Sequence, residues 1–431
     1  MNRYTYLLLL VCILLVGLTG CGTGSDRPTE EALKPAPAET TPAQEAEQQT
    51  DEKEPDTDTV NPEQEDKALA MLNGLSLEEK VGQLVIVGIE GTTMDHFSSK
   101  LLDTYHVGGF IFFKDNLKNV DQSVKMFNSL KKANENNPVP LWMSIDEEGG
   151  RVSRMPDPIL RLPASGIVGK QNDPLVAQEA GSLIGRRLKG FGLNMAFAPV
   201  LDVNSNPDNP VIGDRSYGSS PELVGRLGAA AMKGIQDTGV VSAVKHFPGH
   251  GDTSVDSHVH LPVVSNSMSR LNQIELVPFK RAIDEGAEVV MVAHLLVSSI
   301  DPDTPSSYSE PVISGLLRDK LGYDGVVITD DMVMGAVDNG VINIGEAAVR
   351  SILAGTNIVL VGHDYSKEEA VITSLLKAVK SNRISEEVLN DRVLTTLRLK
   401  LKYGLNDNPA AGPDVKQLNH DAQQLINRLK Q

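Results

Sequence analysis

The sequence predicts an α/β fold, a single (β/α)8 TIM-type barrel over residues 67–405. Three observations predict it. Eight short runs rich in Val, Ile, Leu and Phe recur along this segment, and stretches with helical spacing and a polar face separate them. Alternating strands and helices imply parallel pairing, because parallel neighbours need a crossover. The segment is also within the length that such barrels reach with insertions. Finally, five of the eight runs end on acids, histidines or a lysine, as expected where strand ends converge on one mouth.

Taken in order, residues 1–20 read as a secretory signal rather than a fold element. Arg3 is followed by an apolar run from Tyr6 to Val16 and then by Leu18-Thr19-Gly20-Cys21. That run is short for a bilayer span, which needs about 20 apolar residues. The small residues before Cys21 resemble a bacterial lipoprotein signal, in which Cys21 becomes the lipidated first residue of the mature chain. Cys12 would leave with the signal, so disulfides and thiol catalysis are not expected.

Residues 21–66 are dominated by Pro, Glu, Gln, Thr and Asp, with no period of 2 or 3.6. Such a segment has no face to bury and is expected to be a disordered tether. It carries part of the acidic excess behind the net charge of -17. That charge argues against nucleic acid as a partner and against electrostatic adhesion to anionic lipid. The lipid on Cys21 is expected to hold the protein at the membrane, on its extracytoplasmic side.

The barrel runs are 84–89, 109–113, 141–145, 195–200, 241–244, 289–293, 325–328 and 358–361. Helical spacing appears at 121–133, 175–189, 222–236, 271–285 and 344–354. Residues 406–431 are left as a tail, partly helical and too short for a core of its own.

Asp146 follows the third run, Asp202 the fourth, Lys245 and His246 the fifth, His294 the sixth, and Asp330 with Asp331 the seventh. After the fifth run comes KHFPGHGDTSVDSHVHLP, residues 245–262, which gathers His246, His250, His258, His260, Asp252 and Asp256. So many groups that exchange protons near neutrality, set in a Gly/Pro-punctuated loop, point to an active-site loop. One reading is a metal site. The spacing of His246 and His250 would then need a helix to aim both at one ion, and Pro248 and Gly249 oppose that helix, so neither metal nor cofactor is expected. Glycoside hydrolysis needs instead a carboxylate nucleophile and a second group that gives and then takes a proton.

The same loop, together with IDEEGGRVSR at 145–154, FAPVLDV at 197–203, GDRSYG at 213–218 and ITDDM at 328–332, resembles the family 3 glycoside hydrolases, in particular their bacterial β-N-acetylglucosaminidase branch. The resemblance implies that Asp330 is the nucleophile. It implies that Asp256 and His258 form the acid/base pair, and that Asp146, Arg154, Arg215, Lys245 and His246 hold the sugar. Strand alternation sends Asp330 and Asp331 to opposite faces without saying which enters the mouth. The family pattern selects Asp330, and Asp331 is expected to bond nearby backbone.

An imidazole suits the acid/base role, since its unperturbed pKa of about 6.5 lies near working pH. Asp256 would support its imidazolium. Two-domain relatives resembling this family take a glutamate acid/base from a second domain, whereas here the barrel is expected to supply its own donor. The expected activity is that of a retaining exo-β-N-acetylglucosaminidase acting on N-acetylglucosamine-containing glycans or muropeptides. A phosphorylase that intercepts the glycosyl-enzyme with phosphate is the nearest alternative. A sugar-binding lipoprotein is an alternative of another class, disfavoured by aromatics of only 4%.

Overall fold

The computed structural model describes residues 62–257, 260–337 and 342–431. The expected signal peptide, Cys21, most of the tether and His258 lie outside the described residues. Eight strands form the central sheet: β1 Val85–Val87, β2 Gly109–Phe112, β3 Trp142–Ile145, β4 Met195–Ala196, β5 Val241–Phe247, β6 Val289–Val292, β7 Val326–Thr329 and β8 Val359–Val361. All ladders in this sheet are parallel. Their order, β7-β6-β5-β4-β3-β2-β1-β8, follows the chain. A parallel bridge between Ile328 and Ile358 joins the outer pair, with the Thr329 N–H donating to Ile358 O at 3.1 Å, so the barrel is nearly closed.

Alternation along the strands builds the two cores. Ile86, Ile111, Trp142, Met195, Val241, Ala243, Val289, Met291, Val326, Ile328 and Leu360 point inward and pack as one cluster. Their neighbours Val85, Val87, Phe110, Phe112, Met143 and Ile145 face the helices. The strands are buried on both sides, which is why they read as continuous apolar runs rather than alternating ones.

The crossover helices carry their own punctuation. Pro174–Phe191 starts with Asp173 accepting from the Leu175 N–H at 2.9 Å and a proline in the first turn, and it stops at Gly192 with φ 81°. These are the standard start and stop chemistries. It packs closely on Pro221–Gln236, where a Cβ on Gly181 would lie 2.1 Å from Ala231 O and one on Gly234 2.0 Å from Gln178 O. The helix expected at 271–285 is instead two, Met268–Gln273 and Val277–Asp284. Pro278 explains the break, since its ring and missing N–H cannot continue a helix from the residues before it. The crossover from β6 to β7 is a wide π-type helix, Pro311–Lys320.

Both ends of the barrel segment extend beyond the expected bounds. A helix begins at Pro62, inside the stretch expected as tether, and buries Ala68 and Leu72. It packs beside Glu386–Lys402, to which Arg398 and Glu65 tie it. At the amino-terminal end of the strands, Leu399, Tyr403 and Leu405 pack against the inward cluster. The Lys400 ammonium donates there to Gln83 Oε1, Gly108 O and Pro140 O at 2.9, 3.0 and 2.7 Å. Beyond residue 405, helix Val415–Arg428 buries Leu418, Ala422 and Leu425 and pairs Arg428 with Glu179 at 2.9 Å. Among the described residues no helix is long and apolar enough to cross a membrane.

Candidate active site

At the carboxyl ends of the strands, β3 stops at Ile145 and leaves Asp146 at the mouth. The chain then forms a small antiparallel pair, Glu147–Gly149 with Val152–Ser153, turned by Gly149 and Gly150 at φ 83° and 54°. Alternation separates the two glutamates. Glu147 is fully buried with Arg187 at 3.3 Å and Ser153 Oγ at 3.0 Å. Glu148 reaches the opposite way, toward the mouth. Its Oε2 accepts from Arg215 Nε at 2.8 Å, and its Oε1 accepts from Arg215 Nη2 and Lys245 Nζ, both at 2.7 Å. Burial alone would push the Glu148 carboxyl up, but Lys245 and Arg215 hold it well below the usual carboxylate range.

Strand β5 does not end at Val244 as the apolar run suggested. It continues through Lys245 and His246 to Phe247, because Lys245 pairs with 199–201 on one side and Phe247 with β6 on the other. Lys245 Nζ lies 2.5 Å from Asp146 Oδ1. Burial pulls its pKa down, and the Asp146 and Glu148 charges reverse that and raise it. His246 Nδ1 is 2.7 Å from Asp202 Oδ2, and its Nε2 is 3.3 Å from Arg215 Nη2. The two partners assign Nδ1 as donor and Nε2 as acceptor. Asp202 is 0% exposed and also accepts from the His250 N–H at 2.6 Å. Burial opposes its ionisation, yet His246, His250 and these bonds hold it below its ordinary pKa.

His250 sits between Thr253 Oγ1 at 2.8 Å and Ser257 Oγ at 3.1 Å, and burial lowers its pKa to about 4. His294 bridges Ser307 Oγ at 2.6 Å and Asp331 O at 2.9 Å. The nitrogens of both rings are thus engaged by the protein itself. Among the described residues no three side chains are grouped as metal ligands.

Asp330, at the end of β7, accepts from the Asp331 N–H at 2.9 Å. Burial raises its pKa, but the nearby His246, His294 and Lys245 outweigh it, so the group is held below its usual value. Asp331 behaves oppositely. Burial pushes it up to about 6, against the N–H bonds from Val333 at 3.0 Å and Gly362 at 2.7 Å.

Asp146, Arg154, Arg215, Lys245, His246 and Asp330 line one cavity of about 750 Å³, counted with the part that opens to solvent. Phe113, Phe197, Met291, Met334 and Leu360 supply its apolar walls. Arg154 is the least committed cation: its Nη2 is 3.7 Å from Asp146 Oδ2, and its buried Nε makes no hydrogen bond. Asp256 is partly buried and does not line this cavity, although Ser257 beside it does. Sequence reasoning missed Glu148 and gave Asp202 no role. Glu148 stood in the quoted DEEGGR stretch, and the opposite facing of two consecutive acids on a strand was the available signal.

Residues 76–399 match the model of the glycosyl hydrolase family 3 N-terminal domain. The β-hexosaminidase A of Pseudoalteromonas piscicida is 35% identical over 340 residues, covering 72% of this chain and 56% of that protein. The chain thus spans little more than half the length of that relative. The β-hexosaminidase of Nitrosomonas eutropha is 34% identical over 297 residues, covering 68% of this chain and 84% of that one. Among solved structures, a family 3 β-N-acetylglucosaminidase from a Paenibacillus species matches with a TM-score of 0.77 at 42% identity, covering 82% of this chain and 68% of that one. The β-N-acetylhexosaminidase of Beutenbergia cavernae matches with a TM-score of 0.70 at 30% identity, covering 77% and 99%.

Proposed function

The chain belongs to glycosyl hydrolase family 3, and from that premise we propose that it is a retaining exo-β-N-acetylglucosaminidase. The observation that carries the reading is the grouping of Asp330 with Asp146, Arg154, Arg215, Lys245 and His246 around one cavity at the carboxyl ends of the strands. Relatives named β-hexosaminidase and β-N-acetylglucosaminidase support the sugar.

In the first step the Asp330 carboxylate attacks the anomeric carbon while His258 protonates the departing oxygen, giving a glycosyl ester. In the second, the neutral imidazole takes a proton from water, which displaces Asp330 and restores the enzyme. Asp256 supports the imidazolium that is present before the first step and re-forms in the second. Asp146 accepts from sugar hydroxyls, Arg154, Arg215 and Lys245 donate to hydroxyl or acetamido oxygens, and the His246 ring, held by Asp202 and Arg215, forms the wall beside the sugar. A lipid on Cys21 would place this barrel on the outer side of the cell membrane, where peptidoglycan fragments ending in N-acetylglucosamine are the proposed substrates.

The test is product formation from an aryl N-acetylglucosaminide with and without phosphate. Free N-acetylglucosamine released at the same rate in both supports the hydrolase. A sugar 1-phosphate as main product replaces it with a phosphorylase.

A further inference from the structure

Glu148 lies behind the cavity and is not among the residues that line it, yet it touches two cations that do. We propose that Glu148 is a positioning residue for the sugar site, clamping Arg215 and Lys245 into a fixed pair so that each presents one free N–H direction to the bound sugar. The inference rests on the glycosidase reading and names the element that gives its sugar-binding cations their geometry.

The hydrogen count supports the clamp. An ammonium has three donors and a guanidinium five. Two of those on Lys245 go to Asp146 Oδ1 at 2.5 Å and Glu148 Oε1 at 2.7 Å, which leaves one. Arg215 directs Nε–H and an Nη2–H at Glu148, a second Nη2–H at His246 Nε2 at 3.3 Å, and an Nη1–H at Val211 O at 3.3 Å, which also leaves one. The clamp is dry: the side chains of Glu148 and Lys245 are each 2% exposed and that of Arg215 is 10% exposed. In such surroundings two adjacent cations repel strongly unless an anion lies between them. Asp146 cannot replace it, because it meets Lys245 and Arg154 at the cavity edge.

Glu148→Gln keeps the shape but removes the charge and sets an amide N–H against a cation. The expected loss is about 100-fold in kcat/KM, the scale of a small misplacement of reacting or binding groups. The Lys245 ammonium, followed by nitrogen NMR, should also give up its proton at a lower pH than in the wild type. Lys245 then keeps its ion pair with Asp146, and the more distant Asp330 and Asp331, but faces the Arg215 cation with no carboxylate between them, so it gives up its proton more easily. A residue that merely stabilised the fold would not move that titration. Glu148→Asp keeps the charge but is too short to reach both cations, so it should lose kcat/KM with the Lys245 titration in place. This variant decides the matter if the glutamine form does not fold.

Crystal structures of both variants provide a readout independent of substrate, in which Arg215 and Lys245 should be displaced from each other. Wild-type positions for the two cations would overturn the inference, as would wild-type kcat/KM with an unmoved Lys245 titration in Glu148→Gln. An unsubstituted enzyme that ignores aryl N-acetylglucosaminides would overturn the glycosidase reading alone, and the cation positions would still decide the clamp.

Discussion

The backbone N–H of Asp331 donates to the Asp330 carboxylate at 2.9 Å, while the Asp331 carboxylate is itself held by the N–H groups of Val333 and Gly362. Two adjacent acids therefore have different work. Asp330 stays ionised among His246, His294 and Lys245, whereas burial pushes Asp331 up to about 6 and its oxygen is committed to backbone. An ionised carboxylate facing the cavity is what a glycosyl nucleophile requires.

Asp330→Ala should accordingly lose at least about 10³-fold in kcat, since removing a nucleophile removes the covalent route itself. Asp331→Asn should lose about tenfold or less, with a lower unfolding temperature as its main effect, because it disturbs the turn after β7 rather than the bond change. Turnover of an aryl N-acetylglucosaminide and mass spectrometry of the enzyme trapped by a fluorinated analogue check both. An adduct on Asp331 would reverse the assignment.

Asp202→Asn tests the orientation of His246. The aspartate fixes Nδ1 as the donor, which leaves Nε2 to accept from Arg215. An amide that offers N–H to Nδ1 forces the other tautomer, and Nε2–H then points at an Arg215 N–H. We expect a loss of about 100-fold in kcat/KM, smaller than the tautomer effect in a catalytic triad because His246 binds rather than transfers a proton. Nitrogen NMR of the histidine rings should show the tautomer exchanged. An unchanged tautomer with full activity would show that Asp202 serves only the His250 backbone.

Much of the barrel was legible because its physical causes are local. The eight apolar runs coincide with the eight strands, and helix ends sit where Ser, Asp, Pro and Gly punctuate the chain. The π-type helix at 311–320 was not legible, because a 3.6 period does not describe it. Lys245 and His246 sit within a strand because their heads find partners in the mouth, which no hydropathy pattern reveals. The roles of Glu148 and Asp202 depend on loops that meet only after folding: Glu148 and Arg215 are 67 residues apart in the chain. The position of His258 lies outside the described residues, so its role stays a proposal.

Glu368 gives a pH prediction. It follows β8 in the first turn of helix Tyr365–Lys380, is 0% exposed, and neither carboxyl oxygen makes a hydrogen bond of normal geometry. Burial pushes its pKa up to about 9 from 4.5. The folded chain therefore keeps a proton that the unfolded chain releases, so the contribution of this group to stability falls as pH rises from about 5 to about 9. Glu368→Gln removes that slope. The variant should match the wild type near pH 5 and exceed it by about 5 kcal/mol near pH 9, at about 1.4 kcal/mol for each pH unit between the two pKa values. Denaturant unfolding across this range checks it, and parallel stability curves for the two proteins would refute it.

His258→Ala separates the two proton transfers assigned to the loop. Acid assistance matters most when the leaving group is poor, so the variant should depress turnover of a natural disaccharide far more than glycosyl-enzyme formation from an activated aryl glycoside. With the aryl substrate, hydrolysis of the ester becomes the slow step, because water has lost its base, and the ester should accumulate as a burst of aryl product. Asp256→Asn should produce a milder form of the same defect, since the imidazole remains but its imidazolium is less supported. Pre-steady-state release of the aryl group, measured beside turnover of both substrates, reads all three effects. Equal losses on the two substrates with no burst would mean that His258 only shapes the loop. The proton donor would then have to be sought among the groups lining the cavity, with Asp331 and its pKa of about 6 the first to test.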